Sequence, residues 1–330
     1  MVRFGIVGFG HHAVKRLVPG FEHAQHCRVT ALSRRDLQRA QASARDYGIP
    51  LAFTSTAELC ASSEVDAVFI ASPDALHLAD VLEAVRHRKP VLVEKPMAMN
   101  GSEARQMVDA ARAAGVTLGV AHVMRFEASV RWFRERIAEG AIGKPVLARA
   151  TFVAPLLESP RTWINDPKLA TGGPLADVGV HCIDTLRYIL NDEVTNVSAD
   201  AQYDSHWVVE ASAASVLRFA GGTLASMSVS ARAPYQTLLE VIGERGVLSA
   251  VNALNVERQI TLECRRGFET VEQKEVSNEY TYAAQVDAFA EAVAEGREFE
   301  SPGEEGLQNL LVLDAAFRSV KSGKTEAVPV

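Results

Sequence analysis

Short apolar or β-branched runs at residues 4–7, 28–32, 66–71, 91–93 and 116–121 alternate with longer stretches whose apolar positions recur at helical spacing. A continuous apolar run fits a strand buried on both faces, and a helical stretch between two such runs is the crossover that parallel strands need. The pattern predicts a doubly wound parallel α/β domain over residues 1–121. The helix near Gly101 is expected to be capped by Ser102 and stopped by Gly115. After a helical stretch at 127–139 and the breaker Gly143-Lys144-Pro145, the runs follow one another directly, at 146–153, 194–201, 208–219, 223–230, 237–242 and 260–264. Gly221-Gly222 and Gly243-Glu244-Arg245-Gly246 punctuate them. Residues 122–330 therefore read as a second α/β domain with a large open, mostly antiparallel sheet. One helix at 175–190 interrupts it, and two, at 282–294 and 304–320, close the chain.

With 330 residues, 48% of them apolar, the chain can fill two cores at roughly 150 residues per domain. Its net charge is −7, and the longest stretch free of Asp, Glu, Lys and Arg covers only residues 219–231. That is too short for a membrane helix, which needs about 20 apolar residues. A mildly acidic chain without a dense Lys/Arg cluster lacks the positive footprint that nucleic acids and anionic membranes require, so a small-molecule partner is expected. Cys27, Cys60, Cys182 and Cys264 are widely spaced, with no CxxC and no Cys/His cluster, which points to reduced thiols, no metal site and a cytoplasmic protein. The opening Met1-Val2-Arg3-Phe4-Gly5-Ile6-Val7 has too short an apolar run for a secretion leader.

Chemistry concentrates at four places. Directly after the first strand, Gly8-Phe9-Gly10-His11-His12-Ala13 matches the G-x-G-x-x-G/A dinucleotide fingerprint. Gly8 suits the tight turn, Gly10 close approach to a pyrophosphate, and Ala13 helix–strand packing; His11 and His12 either contact phosphate or cap the turn. After the second strand comes Ser33-Arg34-Arg35-Asp36, where hydroxyl and guanidinium donors favour a 2′-phosphate, hence NADP(H) over NAD(H). Asp36 sits late enough to cap the next helix; as a ribose acceptor it would reverse that preference. At the end of the fifth strand Glu94-Lys95-Pro96 places charge at the carboxyl edge of the sheet, where ligands bind. Lys95 there can stabilise a developing alkoxide, although a surface lysine lying along the sheet gives the same sequence. Finally, Gly172-Gly173-Pro174 leads into Asp177 and His181, four residues apart and so on one helix face. Such a pair suits proton transfer near neutral pH, and equally a helix-surface pair or a buried histidine.

Taken together, the chain resembles the Gfo/Idh/MocA oxidoreductase family over nearly its whole length. The carriers are the glycine motif at 8–13, Ser72-Pro73-Asp74-Ala75-Leu76-His77, Glu94-Lys95-Pro96, Arg125-Phe126, Ile142-Gly143-Lys144-Pro145, Trp163 and the 172–184 segment. The resemblance implies an amino-terminal Rossmann domain, and a carboxy-terminal domain whose open sheet face forms an oligomer interface, so a homodimer or homotetramer is expected. It implies Lys95, Asp177 and His181 as the catalytic trio, with Lys95, Arg125, Trp163, Asp177 and His181 toward substrate. Ser72, Pro73, His77, Glu94 and Lys95 would join residues 8–13 and 33–35 around the cofactor. The 172–192 segment is similar to 1,5-anhydrofructose reductases, and Ser33-Arg34-Arg35 to NADP-dependent keto-sugar reductases. The expected reaction is hydride transfer between NADP(H) and a secondary alcohol or ketone, or an aldose and its lactone, of a sugar or cyclitol. A non-catalytic dinucleotide sensor and a dihydrodiol dehydrogenase are the alternatives; a sensor has no need of the trio. Asp74 stands where the family commonly has Asn, Pro174 where it often has a third Gly, and residues 121–124 are atypical.

Overall fold

The computed structural model describes residues 1–256 and 258–329. Its contacts divide the chain into two compact units: residues 1–122, 168–171 and 282–310 form the first, and residues 123–167, 172–281 and 311–330 the second. Among the described residues, no helix is long and apolar enough to cross a membrane.

In the first unit, β1 (Val2–Val7), β2 (Cys27–Ser33), β3 (Leu51–Phe53), β4 (Ala67–Ile70), β5 (Val91–Val93) and β6 (Leu118–Val120) form one sheet in the order β3-β2-β1-β4-β5-β6. Every pairing is parallel. The crossovers carry α1 (Val18–His23), α2 (Leu37–Asp46), α3 (Thr56–Ala61), α4 (Asp74–Arg86) and α5 (Gly101–Ala114). β4 and β5 are buried throughout, as their unbroken apolar runs require. The three-residue edge strand β3 has no run to announce it. Asn100, not Ser102, caps α5, accepting from Glu103 N at 3.0 Å; Ser102 lies two residues too late, inside the helix. Gly115 closes α5 in the left-handed region at φ 64°.

The contacts draw two later stretches into the first unit, beyond the boundary expected at 121/122. Phe289, on α9 (Thr281–Glu295), lies 6.0 Å from Phe4 of β1 and 5.2 Å from Phe299, so an apolar helix face completes this core. Gly119 of β6 leaves room for those rings, since a Cβ there would come within 2.7 Å of Phe299 and 2.9 Å of Phe289. Helical periodicity marks a buried face but not the sheet it covers.

The second unit contains β7 (Pro145–Val153), β8 (Val194–Tyr203), β9 (Glu210–Phe219), β10 (Leu224–Ser230), β11 (Gln236–Gly243), β12 (Val247–Val251), β13 (Gln259–Arg266), β14 (Glu269–Ser277) and β15 (Glu326–Ala327). They pair in the order β14-β13-β12-β11-β7-β10-β9-β8-β15, antiparallel except between β7 and β10. Ala211, Ala213, Ser215, Leu217 and Phe219 of β9 are buried while the residues between them are not, so one sheet face carries the core. The sequence pattern passes over β14, which is almost wholly polar because it is an exposed edge. The unit also holds α6 (Ala128–Ala138), α7 (Pro174–Asp177) and α8 (Gly179–Leu190), and α10 (Gly303–Ser322) ends the helical part of the chain. The single helix expected at 175–190 is two pieces that meet at Val178.

Glu127, ahead of α6, is completely buried, and burial raises its carboxyl well above the ordinary value of 4.5, opposed only by the Ser129 hydroxyl. The folded chain therefore keeps this proton to higher pH than the unfolded chain does, and stability is lost as pH rises above that value. Glu127→Gln should remove a slope of up to ~1.4 kcal/mol per pH unit and leave the variant more stable than wild type at neutral pH. Urea unfolding across a pH series measures this; parallel curves for the two proteins would contradict it.

Candidate active site

Gly8 follows β1 at φ +76°, and a Cβ there would lie 2.5 Å from Ser72 N, so only glycine fits this turn. A Cβ on Gly10 meets nothing closer than 3.7 Å, leaving an open approach to the backbone. His11 and His12 begin the helix, Val14 N bonds Gly10 O at 3.1 Å, and Ala13 is fully buried. The helix passes through a π turn at Ala13–Leu17 before α1, where Pro19 has no N–H to donate and the wider turn accommodates its ring. Strand, turn and helix start thus form the cradle a dinucleotide pyrophosphate requires. Phe9 supplies only its backbone to this turn: Phe9 N bonds Ser33 O at 3.1 Å, and its ring packs on Tyr47, buried.

The His12 ring makes no cap, and its Nε2 lies 2.8 Å from Glu94 Oε1. Glu94 Oε2 also accepts Lys95 N at 3.1 Å. Burial works to raise the Glu94 carboxyl, but the charge and hydrogen bond of His12 outweigh it, Lys95 adds to them, and the result is about 2. Glu94 is therefore an anion fixed between the glycine turn and the loop of Lys95.

At the end of β2, Ser33 is buried, Arg34 Nη1 donates to Ser43 Oγ at 2.8 Å, and Arg35 is exposed. Asp36 caps α2, Oδ1 accepting Arg39 N at 2.8 Å, which uses the carboxylate that could have served as a ribose acceptor. Sequence reasoning passed over Ser43; a buried serine on α2 is the only trace it leaves.

In the loop after β4 the Ser72 hydroxyl donates to Asp80 at 2.7 Å, Pro73 precedes α4, and His77 is buried with both ring nitrogens on backbone carbonyls. His77 thus supports these loops. Asp74, also buried, accepts Thr171 N at 3.0 Å, and Thr171 Oγ1 donates to Ala98 O at 3.2 Å.

In the second unit, Asp177 ends α7 and His181 lies in the first turn of α8, so the two are not on one unbroken helix. Pro174 opens α7 at a position that needs no N–H, which accounts for proline in place of glycine. Glu210, at the start of β9, accepts Gly173 N and Leu175 N, both at 2.9 Å. Burial raises the Glu210 carboxyl against those two bonds. A Cβ on Gly173 would sit 2.0 Å from Glu210 O. Arg161 grips Asp177 with both terminal nitrogens, at 3.2 and 2.9 Å. His181 is buried and stacks on Phe152, with ring centroids 6.0 Å apart. Trp163 lies two residues beyond Arg161 in a 3-10 turn, partly exposed.

Arg125 is 3% exposed, Nε and Nη2 both bond Asp184, and its guanidinium lies 5.1 Å from the Tyr188 ring centroid. It is a buried structural cation. Arg161 and Glu210 escaped sequence reasoning: one lies in an aperiodic loop and the other reads as an ordinary strand residue.

Residues 2–122 match the family model for the oxidoreductase family with an NAD-binding Rossmann fold, and residues 130–249 match the GFO/IDH/MocA C-terminal domain. The 1,5-anhydro-D-fructose reductase of Ensifer adhaerens is 32% identical, covering 99% of this chain and 99% of its own. D-xylose 1-dehydrogenase (NADP(+)) 2 of Haloferax volcanii is 30% identical over 97% of this chain and 98% of its own. The crystal structure of the aldose-aldose oxidoreductase from Caulobacter crescentus, complexed with glycerol, superposes with a TM-score of 0.89 at 25% identity, over 99% of each chain. With the glycine cradle, the Glu94-Lys95-Pro96 loop and full-length relatives in agreement, the chain belongs to the Gfo/Idh/MocA family of oxidoreductases.

Proposed function

We propose that this chain is an NADP(H)-dependent oxidoreductase acting on a CH–OH group of a sugar or cyclitol. The observation that carries the reading is the position of Lys95, at the carboxyl end of β5, on the same parallel sheet as the Gly8–Gly10 cradle after β1. A nicotinamide dinucleotide held at the Gly8–Gly10 cradle would supply the hydride acceptor or donor. In the oxidative direction the role of His181 is to remove the hydroxyl proton and that of Lys95 to stabilise alkoxide character; in reduction the proton returns from His181. Asp177, clamped by Arg161, orients the substrate hydroxyls.

The preference for NADP(H) rests on Ser33, on Arg34 braced by Ser43, and on Asp36 being used as a cap. A sugar substrate is supported by what the relatives from Ensifer and Haloferax act on. Four buried free thiols suit a reducing cytoplasm, and exposed Val216 and Val251 on the second sheet suit a homo-oligomer.

Lys95→Met should lower kcat by about 100-fold or more with NADPH affinity within ~3-fold of wild type, read from nicotinamide absorbance over aldoses, keto-sugars, anhydro-sugars and cyclitols. Near-wild-type turnover would remove Lys95 from the chemistry. Arg161→Lys should lower kcat/KM by ~10-fold or more with little change in thermal stability, because a cation stays beside Asp177 while the two-nitrogen grip is lost. Equal losses in stability and activity would make Arg161 a folding residue only. Ser33→Asp should repel a 2′-phosphate and raise the NADH/NADPH ratio of kcat/KM by ~10-fold or more; an unchanged ratio would place discrimination elsewhere.

A further inference from the structure

His77 is 1% exposed, its Nδ1 3.0 Å from Pro96 O and its Nε2 2.8 Å from Ser72 O. A carbonyl oxygen only accepts hydrogen bonds, whereas a neutral imidazole has one N–H and one lone pair. Either neutral tautomer would therefore set a nitrogen lone pair against an oxygen lone pair in the protein interior, where an unmade hydrogen bond carries its full desolvation cost. The imidazolium alone donates to both. A cation out of water needs an anion beside it, and Asp74 stands three residues earlier on the same helix, 5% exposed.

We infer that His77 is a buried imidazolium whose charge is balanced through space by Asp74, one turn earlier on α4, and that His77 is a positioning residue for the loop that carries Lys95. Its two acceptors belong to the two loops at the candidate site. Pro96 directly follows Lys95, and Ser72 is the residue whose backbone excludes any side chain at Gly8. As a cation His77 fastens both loops by charge-assisted bonds; neutral, it holds one.

The remaining charges around the pair are accounted for. Burial raises the Asp74 carboxyl, and the charge of His77, the Thr171 N–H and the charge of Lys95, from the loop after β5, act against that. Asp80, also on α4, has its oxygens on Ser72 Oγ at 2.7 Å and Thr56 Oγ1 at 2.5 Å. Glu94 is held by His12. Lys168, the charged residue of the 168–171 stretch, is exposed. The acid at position 74 thus gives this chain a counter-charge for His77.

The test uses full-length protein with 15N-labelled histidine, and long-range 1H–15N spectra assigned by the signal lost in His77→Gln. At neutral pH the two nitrogens of His77 should both show the protonated pattern, and Asp74→Asn should convert it to that of a neutral tautomer. A neutral tautomer in wild type overturns the inference, and needs no variant to fold; an imidazolium unchanged in Asp74→Asn also overturns it. A kinetic arm rests on the oxidoreductase reading. Asp74→Asn should lower kcat ~10-fold or more, increasingly as pH rises, with KM for NADPH within ~2-fold. A loss equal at every pH would reduce the pair to a structural contact. The spectra require no turnover, so failure of the functional reading and failure of this one remain distinguishable.

Discussion

A carboxylate removed from water loses several kcal/mol of solvation unless N–H groups or a cation replace the water. The loops of the candidate site are each tied to a carboxylate in that position. Glu94 is answered by His12 and Lys95 N, Asp74 by Thr171 N, Glu210 by Gly173 N and Leu175 N, and Asp177 by Arg161. Lys95, Arg161, Thr171 and Gly173 lie in irregular backbone, where neither helix nor sheet hydrogen bonding would hold the chain. Short-range electrostatics does there what the ladder does in β1 to β6.

What the sequence disclosed and what it withheld divide along the same line. The strands of the parallel sheet announce themselves because burial on both faces demands apolar runs, and Gly8 because a positive φ against Ser72 admits no side chain. Asp36 was legible as a cap from its place before α2. Partnerships across long sequence separations were not legible: nothing in the order of residues says that Arg161 closes on Asp177, that Glu210 receives Gly173, or that Arg125 is consumed by Asp184. The glycine motif and Glu94-Lys95-Pro96 could be seen, while the role of His12 within the motif depended on a residue 82 positions away.

The break at Val178 shows the same limit at short range. An i, i+4 spacing implies a shared face only if the helix is continuous, and here α7 ends with Asp177 and α8 starts at Gly179. Glu210 explains how the entrance to these helices is held. It occupies two N–H groups around the start of α7, while Gly173 accepts the approach of the β9 backbone.

The return of residues 282–310 to the first unit bears on how the chain is made. The strands of the parallel sheet come earlier in the chain, yet Phe4 of β1 acquires Phe289 as a neighbour only after residue 289 has been synthesised, well over a hundred residues beyond β6. Until then an aromatic surface at the sheet stays open, a long wait in which exposed apolar groups favour association between nascent chains. A ribosome stalled before α9 would therefore hold a dinucleotide fold complete in its strand order but unfinished in its core.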